Sequence, residues 1–369
     1  MHVLQVLPAL NAGGVERGTL EIADALVRAG HRATVLSAGG RMVAPLTQLG
    51  AAHITLDLGA KSPLTLTKLP SLRRLLAGGD FDIVHVRSRL PAWMVWLAWR
   101  SLPKRRRPRL VSTVHGLNSP SAYSRIMLCG ERVIVVSDTV RRYVLEHYPE
   151  TNPGKLVLIP RGIDPDQFPH GYQTSADWRE RFVAAYPSLA GPAPWLCLPG
   201  RGTRLKGHET ALHLLANLIK QGQDARLIML GAQQDGRDHY TEQLVATATA
   251  LGIGAKVVMT PPRPDVRDVF AASHAVLQLS TKPEAFGRTV VEALQLGVPV
   301  VGFDHGGAGE LLRELFPVGL VAHDDPEALG NVTLQVVQNR PIVPAFSRYR
   351  LADMQAATLT VYRDLLCTA

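Results

Sequence analysis

Sulfur is scarce in this chain. Three cysteines, Cys129, Cys197 and Cys367, lie far apart, in or near apolar runs. An odd, scattered set builds neither a disulfide framework nor a metal cluster, and it fits a reducing cytoplasm. Long apolar runs are missing too. The segment Pro91 to Trp99 falls far short of the ~20 residues that span a bilayer. The apolar start is broken by Glu16, Arg17 and Asp24 with no basic stretch before it, so no signal peptide is expected. Also absent are the G-x-G-x-x-G spacing of a nicotinamide-cofactor turn, any obvious metal motif, short-period repeats and low-complexity segments. These absences leave a globular protein, soluble or held at a surface.

What is present is a mixed composition, 46% hydrophobic and 19% charged, over 369 residues. That length exceeds what one core accommodates, so two domains are expected. The formal net charge of +9 is unevenly placed. Residues Met1 to His170 carry 22 Lys and Arg against 12 Asp and Glu, while the remainder carries 18 against 19. The cationic surplus therefore lies in the first half, which should meet something anionic.

Strand-like runs punctuate the chain. Met1–Pro8 passes through Gly13-Gly14-Val15-Glu16 into a helix reaching about Ala29, and Ala33–Ala38 follows. This is the opening of a parallel α/β sheet. Further strands are expected at His53–Leu58, Ile83–Arg87, Leu110–Thr113, Val133–Val136 and Leu156–Ile159. A second alternation runs through Trp195–Leu198, Leu227–Leu230, Val257–Met259, Val276–Leu279, Val298–Val301 and Leu320–Val321. Residues 164–192, rich in Pro, Gly and polar groups, suggest an interdomain linker. The expected division is 1–168, 169–345, and a C-terminal helix in 346–369 that packs back on the first domain.

One stretch organises the second half: Lys282-Pro283-Glu284-Ala285-Phe286-Gly287-Arg288-Thr289, then a helix carrying Glu292. The amides from Phe286 to Thr289 open that helix, and helix N-termini bind phosphate. Two carboxylates beside such donors suit a ligand with both hydroxyls and phosphates, which describes a nucleotide sugar. Two glutamates so spaced also arise by chance, and most helix glutamates are merely solvated. The glycine-rich loop Asp304 to Glu310, after the next buried strand, favours the site reading, because α/β sheets place ligands there. Arg201 and Lys206 follow the first strand of the second half, where cations could hold a diphosphate; a solvated basic loop is the bland alternative. His85 lies inside a strand and reads as structural, whereas His115 ends one, before Gly116, and should face the cleft. The pair Gly13-Gly14 is either a tight turn or a place of close backbone approach.

Together these segments resemble retaining glycosyltransferases of family 4, and the resemblance runs in order along the whole chain. It rests on Gly13 to Glu16, Ile159 to Asp164, Gly200-Arg201 with Lys206-Gly207, Glu284 through Glu292, and Gly297 to Val301. The fold it implies is GT-B, an α/β architecture of two Rossmann-like domains facing across a cleft. It assigns Arg201 and Lys206 to the donor diphosphate, Glu292 to the ribose hydroxyls and Glu284 to the transferred sugar. Phe286, Gly287, Arg288 and Thr289 would complete the donor pocket. Gly13 and Gly14 would lie near the diphosphate or acceptor, and His115 near the anomeric centre. Glu284, His115, Arg201 and Lys206 are thus the expected catalytic group. Glu16, Arg87 and Arg89 would touch the acceptor; Arg87-Ser88-Arg89 and the Asp304-His305-Gly306-Gly307 loop resemble the branch that assembles bacterial surface polysaccharide and lipopolysaccharide core. Arg288 departs from the family, where many members have an aliphatic residue.

The resemblance further implies a UDP- or GDP-linked sugar as co-substrate and a lipid-linked saccharide as acceptor, with no cofactor and no metal. Retention would follow from front-face attack, the leaving diphosphate taking the proton. Glu284 as a covalent nucleophile ranks below that. Trp93, Trp96 and Trp99 recur on one side of a helix before Lys104-Arg105-Arg106-Arg107, which suits an anionic membrane surface; a buried helix with a solvated basic loop is the alternative. No nucleic-acid-binding motif accompanies the patch. The expected location is cytoplasmic, peripheral on the inner face of the membrane. Two other readings stay open: a non-catalytic nucleotide-sugar-binding scaffold, and a GT-B-like epimerase or phosphorylase.

Overall fold

The computed structural model describes residues 1–11, 13–233, 236 and 238–367, which form two compact units. The first is Met1–Gly162 with the described part of Tyr349–Ala369; the second is Ile163–Arg348. Residues 368 and 369, within the expected C-terminal segment, lie outside the described residues.

The first unit holds a parallel sheet of β1 (His2–Val6), β2 (Arg32–Ser37), β3 (Ala52–Thr55), β4 (Ile83–Val86), β5 (Arg109–Val114), β6 (Arg132–Val135) and β7 (Leu156–Leu158). Their order is β3-β2-β1-β4-β5-β6-β7. The second unit holds β8 (Trp195–Pro199), β9 (Arg226–Leu230), β10 (Val257–Met259), β11 (Ala275–Gln278), β12 (Val300–Phe303) and β13 (Leu320–Val321), ordered β10-β9-β8-β11-β12-β13. Strands such as Ile83-Val84-His85-Val86 are buried at every residue, as parallel strands with helices on both faces must be. Every expected strand is present, Val257–Met259 and Leu320–Val321 with the expected bounds and the others with shifted ends. The strand expected from Val298 starts at Val300 because Gly297, at φ +85°, closes the preceding helix. Its amide and that of Val298 turn back to the carbonyls of Leu294 and Ala293. Residues 163–192 belong to the second unit and are more than a linker. They contain the helix Ala176–Ala185, whose Phe182 is buried and stacks on Trp178 with ring centroids 4.7 Å apart.

Each sheet reverses its order once, between β1 and β4 and between β8 and β11, and the crevice outside the strand ends at such a point is where open α/β sheets bind ligands. Gly13-Gly14 and Arg87 fall at the first of these places, and the loops carrying Arg201, Lys206 and Glu284 at the second. Among the described residues, no helix is long and apolar enough to cross a membrane.

The helix Leu351–Cys367 is built into the core of the first unit through Met354, Leu359, Val361, Tyr362 and Leu365. Tyr362 is fully buried; its hydroxyl bonds His85 Nδ1 at 2.7 Å, and His85 Nε2 bonds Thr113 Oγ1 at 2.7 Å. His85 is thus a satisfied core residue, and burial, then Arg87 and Arg161, keep its ring neutral. Tyr362→Phe removes the shared hydroxyl and leaves buried groups unserved. The expected loss is about 1–3 kcal/mol, read as a lower denaturation midpoint of the first unit.

Candidate active site

The loops after β8 and β11 are brought together because these strands are hydrogen-bonded neighbours. After β8, the turn Arg204–Lys206 leads through Gly207 into the helix His208–Lys220. Gly207 sits at φ +75° against the Leu279 carbonyl, where any Cβ would collide. The Thr281 amide donates to the Leu205 carbonyl at 3.0 Å, tying the two loops. Across this seam Lys206 Nζ donates to Glu284 Oε1, and the Ser280 hydroxyl donates to the same oxygen. Burial alone would raise the Glu284 carboxyl. The Lys206 charge, with the hydrogen bonds from Lys206 and Ser280, outweighs it and holds the group below the usual carboxylate range. Glu284 is therefore ionised at neutral pH and is only 22% exposed.

The glycine-rich loop after β12 supports this arrangement from beneath. The Gly307 amide donates to the Glu284 carbonyl at 2.7 Å. A Cβ on Gly306, at φ +63°, would lie 2.6 Å from the same carbonyl oxygen. Only glycine permits that approach. His305, before it, bonds the Ser280 carbonyl through Nε2 at 2.7 Å. Gly287, at φ +104°, then opens the helix Arg288–Gln295 without a side-chain cap. Glu292 lies within that helix, 4% exposed. Lys206, Glu284, the Phe286–Thr289 turn and Glu292 therefore belong to one locality of the second unit. Arg201 lies on the same loop as Lys206, exposed to solvent.

The remaining predicted residues belong to the first unit. Gly13 and Gly14 are exposed at the turn after β1, and the helix Gly14–Arg28 follows. Gly13 is at φ +152°, and a Cβ there would come 2.5 Å from Glu16 Oε2, so Glu16 folds back over the turn. Arg87 is buried at the end of β4, and Tyr362 is a hydrogen-bond partner of its guanidinium. Arg89 points elsewhere, donating to Ser124 Oγ at 3.2 Å with its guanidinium 5.4 Å from the Tyr123 ring. His115 follows β5 and accepts at Nδ1 from Arg161. Burial first, then the charges of Arg161 and Arg87, push its pKa well below the ordinary imidazole value.

Sequence reasoning missed Ser280, Gln278 and Arg161. Ser280 serves Glu284, and Gln278 at the end of β11 also acts on that carboxyl. Both are polar residues interrupting an apolar run at its carboxyl end, a signal the sequence did offer. Arg161 stood in a quoted motif without a role.

Two parallel α/β units of this topology are Rossmann-like, as in the GT-B fold. The description Glycosyltransferase Family 4 matches residues 12–167, and Glycosyl transferases group 1 matches residues 188–350. The chain belongs to this family and is a hexosyl glycosyltransferase. It is 24% identical over 361 residues to D-inositol 3-phosphate glycosyltransferase 1 of Catenulispora acidiphila, spanning 89% of this chain and 83% of that protein. A glycosyltransferase from Rickettsia africae is 26% identical, with a TM-score of 0.84 over 100% of this chain and 99% of that one. Anabaena Alr3699/HepE, solved in complex with UDP and glucose, shares the fold at 21% identity and a TM-score of 0.77, over 100% of this chain and 99% of that one.

Proposed function

We propose that this enzyme transfers a sugar from a UDP-linked donor to a hydroxyl of a lipid-linked saccharide, with retention at the anomeric carbon. The observation that carries this reading is the Lys206–Glu284 pair beside the uncapped N-terminus of the helix bearing buried Glu292. Lys206 and Arg201 stabilise charge on the departing diphosphate, so no metal is called on. Glu284, ionised and fixed by Ser280, accepts hydrogen bonds from hydroxyls of the transferred sugar, and Glu292 accepts from the ribose. The leaving phosphate takes the acceptor's proton. The UDP complexes of Anabaena Alr3699/HepE support the choice of nucleotide. Thermal melting with UDP, GDP, ADP, CMP and NAD tests it. A ligand at ~100 times its dissociation constant stabilises by about 2.7 kcal/mol, so UDP should raise the midpoint. A rise with NAD alone would sink the proposal.

The acceptor side of the reading rests on the helix Arg89–Arg100. Trp93, Trp96 and Trp99 are half-buried on it. Arg100 and Arg107 stack over Trp96 and Trp99 at 4.6 and 4.7 Å. Trp93 and Trp96, with Ile126 and Leu128, line a hollow of about 490 Å³. Lys104, Arg105 and Arg106 are exposed beside them. Apolar rings next to solvated cations fit the headgroup layer of an anionic membrane, the inner face of the cytoplasmic membrane in this reading. Each cation there contributes roughly 1 kcal/mol, so replacing these three by alanine should weaken binding to phosphatidylglycerol vesicles about 100-fold. Equal sedimentation of wild type with neutral and anionic vesicles would refute this attachment.

A further inference from the structure

Among the described residues of the first unit, three buried donor atoms lack an acceptor. Arg87 is 3% exposed, and neither its Nε nor its Nη1 has an acceptor. His115 accepts at Nδ1 from Arg161 Nη2. A guanidinium is a donor only, so Nδ1 carries the lone pair and the neutral ring holds its proton on Nε2. That Nε2 is buried and also lacks a partner. Buried donors left in this way call for an explanation, and a missing ligand is one.

Charge adds to this. Gly18 lies on the helix Gly14–Arg28, and a Cβ there would meet Arg161 Nη1 at 3.2 Å and Arg87 Nη1 at 3.5 Å. Two guanidinium groups thus converge where a side chain is missing. The charge of Glu21, on the same helix, also reaches Arg87. His115, kept neutral, adds a hydrogen-bond donor without adding a third charge.

We propose that Arg87, Arg161 and His115 form a binding site for a tetrahedral oxyanion, a phosphoryl group carried by one of the two substrates. The proposal deepens the sugar-transfer reading and rests on it. Guanidinium forks match phosphate oxygens in pairs, which is why arginine is the residue for this recognition. The Nε2 proton of His115 supplies a further directed donor. The phosphoryl group has two sources, a phosphate substituent of the acceptor or the diphosphate of the donor.

Calorimetric titration of the full-length protein with inorganic phosphate, and separately with UDP, tests the site and tells the sources apart. Wild type should bind phosphate, Arg161→Gln should bind it at least about tenfold more weakly, and Arg161→Lys should fall between. On wild type, phosphate should also shift the Arg87 Nε–H resonance, a reading that needs no variant to fold. If phosphate and UDP bind together and Arg161→Gln leaves UDP affinity unchanged, the oxyanion is the acceptor's. If they compete and UDP weakens by the same factor, it is the donor's. Absence of phosphate binding to wild type, or an unmoved Arg87 resonance, overturns the proposal, as does undiminished binding to Arg161→Gln. UDP binding is an independent readout: its loss in wild type would sink the donor reading, whatever phosphate does.

Discussion

A Lys206→Ala enzyme should turn over about 10²- to 10³-fold more slowly than wild type, the scale set by removing one charge-stabilising donor from a transfer site. Lys206 has two tasks, and its loss should show both. In the proposed reaction its ammonium neutralises charge on the leaving diphosphate, which grows in the transition state, so the loss should fall mainly on kcat. It also holds Glu284 ionised. Without it, burial is opposed only by the remaining hydrogen bonds, and the carboxyl pKa should rise from its wild-type value. The acid limb of the kcat/KM–pH profile should therefore move to higher pH. Stability must move in a linked way. Because the folded-state value is depressed in wild type, the ion pair stabilises the protein above the ordinary carboxylate pKa. That contribution fades as pH falls through the depressed value. Melting curves of the variant should thus lose part of the acid dependence seen in wild type. An unchanged kcat would remove Lys206 from the reaction.

Glu292→Ala should act differently, weakening UDP about 10- to 100-fold while leaving kcat at saturating donor nearly intact. A carboxylate that accepts from sugar hydroxyls makes charge-assisted bonds of about 1.5–3 kcal/mol. The ribose does not change during transfer, so the loss is uniform binding and appears in KM. The UDP-dependent rise in melting midpoint should shrink accordingly. Glu292→Gln, which keeps the packing of this 4% exposed side chain, separates lost recognition from a disturbed helix. UDP affinity equal to wild type in both variants would exclude the ribose assignment.

Much of this was legible along the chain because it is local. Continuous apolar runs with glycine turns marked the strands, and helix entry after Gly287 followed from the loop before it. The Lys206–Glu284 contact was accessible indirectly, since both residues follow strands that an α/β sheet places side by side. Other features depend on neighbours far away in sequence. His85 looked like any strand histidine; what satisfies it is Tyr362 on the C-terminal helix. That the Arg161 guanidinium lies against Gly18 beside Arg87 is set by packing between distant segments. The sequence shows a residue's type, but burial of its polar atoms belongs to tertiary packing.

The helix Leu351–Cys367 also bears on how the protein is made. The first sheet is translated before the second unit, yet Tyr362, which closes over its central histidine, is translated only after that unit. Until then His85 and the strands beneath that helix lack their cover, so nascent chains should be most prone to aggregation during this interval. Completing the first unit thus waits on synthesis of the second, although its sheet emerges before it.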